Sequence, residues 1–152
     1  VAELVHGLRR GEPIHPAVGR LLGRGPGLTP LGDDVLAGTL VGLNALGSPA
    51  TSVLAAAVAG AAPDATTTVS VALLRHAARG ECIPQFAELL DAIASSETAL
   101  PRAAGNLLAV GHCSGAGLLH GVLVALAITH ERLALDILSA VPPTPASAGT
   151  AA

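Results

Sequence analysis

Aromatic side chains are almost absent from this 152-residue chain: Phe86 stands alone, with no Trp and no Tyr. Stacking on bases and aromatic cages for cationic ligands are thereby excluded. Charge is scarce as well. Asp, Glu, Lys and Arg make up 12% of the residues, 8 basic against 11 acidic, for a formal net charge of −3. A surface with so little positive charge excludes an electrostatic nucleic-acid binder. Cys82 and Cys113 have no Cys-x-x-Cys spacing. Two such cysteines make neither a disulfide framework nor a zinc site, and a reducing, cytoplasmic setting fits them best. Long apolar runs are lacking too. Residues 35–43, 53–62 and 116–128 each fall short of the ~20 residues a spanning helix needs, so no membrane role is expected. No basic segment leads a hydrophobic one at the start, so no signal peptide is expected.

What the chain has in abundance is small and apolar. Hydrophobic residues make up 51%, mean hydropathy is +0.61, and there are 18 Gly and 11 Pro. With so few charges, such a chain needs partners to cover part of its surface. Its length suits one domain with a real core. A single helical domain is expected over 1–138, followed by a disordered tail over 139–152, where Pro, Ala, Ser and Thr dominate.

The local signals are helical throughout. Leu4, Val5 and Leu8 share one face of a helix over 2–10 that Gly11 ends. Pro16 can open a second helix to about Leu22. Residues 23–32 hold four glycines and two prolines, which forces turns. A nearly all-apolar helix follows over 34–46, then an Ala/Val-rich one over 50–61 that Pro63-Asp64 should break. The β-branched residues at 66–71 permit a strand. The helical spacing of Val69, Leu73 and Ala77, the late Arg75, His76 and Arg79, and the following Gly80 favour a helix instead. Pro84 opens a helix with Phe86, Leu89, Leu90 and Ile93 on one stripe. Pro101 opens another to about Val110, and a last helix covers 116–129. The fold class is therefore all-α, a compact helical bundle.

One segment occurs twice. Gly32-Asp33-Asp34-Val35-Leu36-Ala37-Gly38-Thr39-Leu40-Val41-Gly42-Leu43 returns 83 residues later as Gly115-Ala116-Gly117-Leu118-Leu119-His120-Gly121-Val122-Leu123-Val124-Ala125-Leu126, with six of twelve pairs identical. In each copy two glycines four apart open a groove for another helix backbone. Glycine inside a helix costs roughly 1 kcal/mol against alanine, so close packing is the expected compensation. Two equivalent helices with equivalent loops before them can bring both loops, 23–34 and 111–115, to a common pocket. The copies differ in chemistry, because Asp34 corresponds to Gly117.

The candidate chemistry lies in those loops. Exposed amides that feed a helix start form an anion site. Gly25, Gly27, Leu28, Thr29 and Gly32 are the candidates for holding phosphate in the first loop, and Ser114 and Gly115 for contacting it from the second. The loop is neither a Walker motif nor a dinucleotide fingerprint. Thr67 belongs to a hydroxyl cluster (Thr66, Thr67, Thr68, Ser70) that can line such a pocket or simply cap a helix. Asp33 and Asp34 are favoured by the helix dipole but would repel a phosphate. A bridging Mg²⁺ held by both would resolve the conflict, and an N-cap role for Asp33 is the alternative. His112 is the candidate proton-handling residue of the second loop, in a His-Cys-Ser run whose adjacency alone does not make a nucleophile–base pair. Ser114 can equally cap the following helix. His6, His15 and His130 are isolated, and His120 is expected to pack within its apolar helix. No zinc spacing occurs.

Leu22-Gly23-Arg24-Gly25-Pro26-Gly27-Leu28-Thr29-Pro30-Leu31-Gly32-Asp33-Asp34 resembles the signature of the AllH-type subunit family of oxamate carbamoyltransferase. Thr67 to Gly80, with Leu73-Leu74-Arg75-His76-Ala77, and Val110-Gly111-His112-Cys113-Ser114-Gly115-Ala116 resemble its other blocks, so the likeness covers about 20 to 127. Larger family members carry a further N-terminal region, and this chain is similar to their C-terminal helical part. The resemblance implies a cytoplasmic, multi-subunit enzyme of allantoin-derived purine-nitrogen catabolism. That enzyme moves a carbamoyl group between oxalurate and phosphate, giving oxamate and carbamoyl phosphate. Its partners would be other enzyme subunits and a small phosphate or carbamoyl substrate. The rival expectation is a non-catalytic interaction subunit. Leu31 stands where the family pattern has Ser, and Gly117 where an Asp is expected. A carboxylate lost at 117 would predict a weakened site opposite Asp34.

Overall fold

Eight α-helices account for the regular structure of the computed structural model, which describes residues 1–95 and 98–130. The expected tail at 139–152, and with it the domain limit at 138, lies outside the described residues. In chain order the helices are α1 (Ala2–Arg10), α2 (His15–Leu21), α3 (Leu31–Ala45), α4 (Ala50–Ala65), α5 (Thr68–Ala78), α6 (Pro84–Ser95), α7 (Leu100–Leu108) and α8 (Ser114–Thr129). The all-α expectation holds. No strand occurs among the described residues, and the β-branched run before Val71 is helix start, not strand.

Four local expectations need correction. Pro63 does not break α4, which runs on to Ala65. The amide it lacks would have served Ala59, which lies on the exposed face where water can take its place. Both repeated helices begin earlier than their apolar runs, at Leu31 and Ser114. Asp33 and Asp34 therefore sit inside the first turn, and neither is an N-cap. On α5 the inward face is Ser70, Leu74 and Ala77, one position round from the expected stripe. Val69 and Leu73 are left 45% and 44% exposed. His120 is exposed rather than packed.

α3 is the axis of the molecule, buried without interruption from Gly32 to Leu43. A helix apolar on every side has no preferred water face and must be enclosed. α8 packs along it most extensively, with α5 on another side. The contacts follow the sequence repeat. A Cβ on Gly38 would lie 2.3 Å from the Leu118 carbonyl oxygen, and a Cβ on Gly121 would lie 2.4 Å from the Val35 carbonyl oxygen. These two pairs exchange when each residue is replaced by its repeat equivalent, which is the signature of a local two-fold axis between α3 and α8. The glycine grooves are thus each other's partners. At these distances a methyl group would collide with backbone, so glycine is required on both helices.

The axis leaves the two helices parallel. Gly117, in the first turn of α8, faces Asp34, in the first turn of α3; later along the pair, Gly42 faces Ala125. α5 runs the same way. At its start the Thr67 hydroxyl donates to the Leu28 carbonyl at 2.6 Å, and beyond its end Gly80 packs on the Asn44 side chain. The N-termini of α3, α5 and α8 therefore converge on one pole.

Candidate functional site

A cavity of about 420 Å³ opens along α3 between α5, α8 and the α5–α6 connection. Its polar lining divides by position along the helices. Thr29, Asp33, Asp34, Ser70 and Ser114 lie at the pole where the three helices start; His76 and Glu81 lie at the end of α5. Ala37, Val41, Leu74 and Phe86 are among the apolar residues that line the stretch between. The two special loops do reach one cavity. The Thr29 and Ser114 hydroxyl oxygens, 85 residues apart in sequence, are 3.0 Å apart.

The two adjacent carboxylates have different roles. Asp33 is 2% exposed and both its oxygens are engaged. Oδ1 accepts the Gly23 amide at 2.8 Å, and Oδ2 accepts the Thr66 hydroxyl. Asp33 thus fastens the loop after α2 and the end of α4 to the first turn of α3. Asp34 is also buried, at 6% exposure, yet its Oδ2 has no hydrogen-bond partner. Burial pushes the Asp34 carboxyl up to about 6; a hydrogen bond from Ser114 works against that shift, and the neighbouring Asp33 adds to it. A buried acceptor left unpaired costs about 1–3 kcal/mol, and in a cavity wall a ligand can recover it.

Several expected binding residues are occupied by the fold itself. The Gly32 amide donates to the Arg24 carbonyl and the Gly115 amide to that of Val110. Both glycines press on a preceding helix: a Cβ would lie 2.0 Å from the Leu21 carbonyl oxygen and 1.9 Å from that of Leu107, respectively. The Thr67 hydroxyl is the N-cap of α5, accepting the Ser70 amide at 3.1 Å while donating to Leu28. Gly25, Gly27 and Leu28 form an exposed loop outside the cavity lining, with Gly25 and Gly27 at φ 116 and 97. His112 is exposed on the turn before α8 and does not line the cavity; Ser114 is that loop's contribution. Ser114 is the first residue of α8 and not its cap.

Asp33 is committed to two hydrogen bonds, and among the described residues no three His, Cys, Asp or Glu side chains come together to hold a metal. Of the two aspartates in the cavity lining, Asp34 is the one with an unpartnered oxygen.

Gly117 also reads differently in three dimensions. Positions 34 and 117 are repeat equivalents that meet on the local axis. A Cβ at 117 would lie 2.6 Å from the Asp34 Cβ. The expected carboxylate at 117 has no room, so the glycine there makes space for Asp34. Sequence reasoning also passed over His76 and Glu81, which line the cavity after the chain turns at Gly80. Their spacing across a glycine turn was the available signal.

Among the described residues no helix is long and apolar enough to cross a membrane. No curated protein and no solved structure matches the chain. A family model does, over residues 21–126, a span that contains both special loops, both copies of the repeated segment and every residue named above in the cavity lining. Its description is oxamate carbamoyltransferase subunit AllH, and the chain belongs to that family.

Proposed function

We propose that the chain is a substrate-binding subunit of an enzyme that interconverts oxalurate plus phosphate with oxamate plus carbamoyl phosphate, and that the cavity receives the nitrogen-bearing part of the substrate. The observation that carries this reading is the buried, unpartnered Asp34 Oδ2 in the cavity wall. An ionised carboxylate only accepts hydrogen bonds, so it selects an N–H donor over a phosphate oxygen. Carbamoyl and ureido groups present such donors, and the Thr29 hydroxyl can serve their carbonyl oxygen while Ser114 donates to Asp34.

The chemistry needs one proton moved. A phosphate oxygen attacks the carbamoyl carbon, the carbon–nitrogen bond breaks, and its electron pair goes to the nitrogen that becomes the oxamate amide. Asp34 takes a proton from the phosphate hydroxyl and gives it to that nitrogen. A carboxyl held near 6 suits both directions close to neutral pH. Negative charge that builds on the carbonyl oxygen faces the converging N-termini of α3, α5 and α8, whose dipoles favour it. The exposed amides of Gly25, Gly27 and Leu28 beside this pole are where phosphate would be held. Leu28, Val69 and Leu73 are exposed apolar side chains in the loop before α3 and the first turns of α5, a face suited to another subunit. The family setting is cytoplasmic catabolism of allantoin-derived nitrogen.

Calorimetry on the assembled enzyme tests this directly, with oxamate and carbamoyl phosphate as titrants. Binding that is lost in Asp34→Ala, with the assembly intact, is the expected outcome. Absence of binding to the intact wild-type assembly would overturn the reading and favour a scaffold role.

A further inference from the structure

Polarity in the cavity sits at two ends, and the end away from Asp34 has its own built cluster. The His76 Nδ1 is 2.5 Å from Glu81 Oε2, and Arg79 Nε donates to Glu81 Oε1 at 2.6 Å. Arg79 Nη2 is 3.0 Å from the same His76 nitrogen. Arg79 also donates through Nη1 to the Arg75 carbonyl at 3.1 Å, which ties the cluster to the last turn of α5. The side chains of His76 and Glu81 are 55% and 50% exposed, so they stand at the mouth and not in the core. Hydrogen bonds from Arg79 and then His76 hold the Glu81 carboxyl down at about 2, so this carboxylate is already neutralised by its neighbours.

We propose that His76 binds the carboxylate end of the oxalurate or oxamate chain at the cavity mouth, with Glu81 and Arg79 as positioning residues, while Asp34 holds the nitrogen-bearing end. The inference rests on the functional reading above. In the imidazolium form both ring nitrogens donate; Glu81 takes the Nδ1–H, which leaves the Nε2–H as a donor for a ligand carboxylate. Among the described residues of the lining, His76 is the one that can carry positive charge. The other titratable groups that line the cavity are Asp33 and Asp34 on α3 and Glu81 and Cys82 on the connection after α5. The carboxylates would repel an anion, and Glu81 is the one offset by Arg79. An anionic ligand end therefore has one favourable place, and it lies away from Asp34. Ser70 and His76 are six residues apart on one helix, roughly 9 Å along its axis at 1.5 Å per residue. That span suits a short planar dicarbonyl chain with a hydrogen bond at each end.

The test compares oxamate with its neutral analogue oxamide, titrated into the assembled enzyme by calorimetry. Wild type should prefer oxamate. His76→Gln should weaken oxamate about tenfold, the size of a lost charge-assisted hydrogen bond, and leave oxamide unchanged. His76→Lys should restore the preference. Equal losses for both ligands, or no loss in His76→Gln, would overturn the inference while leaving the Asp34 reading in place. If wild type binds neither ligand, both readings fall. If Asp34→Ala abolishes oxamide binding and His76→Gln does not, the two ends are separated as proposed.

Discussion

The starts of α3 and α8 are repeat equivalents that meet in space, and they differ in the side chains that decide what each does. α3 opens with two buried carboxylates; α8 opens with Ser114 and three small residues. The cause is geometric. Repeat-equivalent positions normally lie apart, but 34 and 117 meet on the local axis, where there is room for one Cβ and not two. A duplicated helix pair packed this closely must therefore become asymmetric at its axis. A single carboxyl beside the hydroxyls of Thr29 and Ser114 is the result.

The axis can be broken at its crossing point. Gly121→Ala places a methyl group within 2.4–2.6 Å of three backbone atoms of α3. Backbone cannot swing aside as a side chain can, so the expected cost is at least about 3 kcal/mol. Denaturant unfolding of the variant checks it; a loss under 1 kcal/mol (about one methylene's worth of packing) would mean the helices separate easily.

At the axis itself, Gly117→Asp should cost roughly 2–3 kcal/mol, because it sets two carboxyl-bearing carbons against each other. Adding Asp34→Gly should recover most of that loss. The double-mutant cycle measures the coupling, and additive effects would show that the two positions do not compete for one space.

Asp34 sharpens the comparison through pH. Its carboxyl in the fold titrates near 6, above the 3.8 of an ordinary aspartate. The folded chain thus keeps a proton that the unfolded chain releases. Stability is fullest below pH 3.8, falls as pH rises towards 6, and levels off above. The drop is roughly 2 kcal/mol once solvent in the cavity is allowed for. Asp34→Asn should remove that slope and abolish turnover. A slope that persists in the variant would assign it to another group.

The smallest expected effect has the opposite sign. Gly60, on α4, faces open space, unlike the glycines of the crossing. Gly60→Ala should gain about 0.5–1 kcal/mol from helix propensity. A thermal melt that moves downward instead would show a hidden contact at that site.

Much of this was readable along the chain. Gly38 and Gly121 pointed to a close helix crossing, because close packing can compensate for glycine in a helix interior. The glycine- and proline-rich run before Asp33 could only be a loop. What misled was any inference about direction. Gly32 and Gly115 look like anion-loop glycines in sequence, yet both amides serve the fold. Thr67 looks like a pocket hydroxyl and is a cap. Asp33 and Asp34 look like a pair, yet successive residues on a helix point about 100° apart. That rotation turns one into a clasp and leaves the other facing a cavity.

Composition and spacing alone determined that the chain is helical, that two of its helices are copies, and that those copies must touch through glycine. These are local consequences of backbone freedom and 3.6-residue periodicity. Only the tertiary structure decided that Gly117 yields its space to Asp34, that Ser114 and not His112 meets Thr29, and that His76 shares a cavity with them. Those outcomes depend on how helices far apart in sequence are rotated against one another, and close packing sets that rotation.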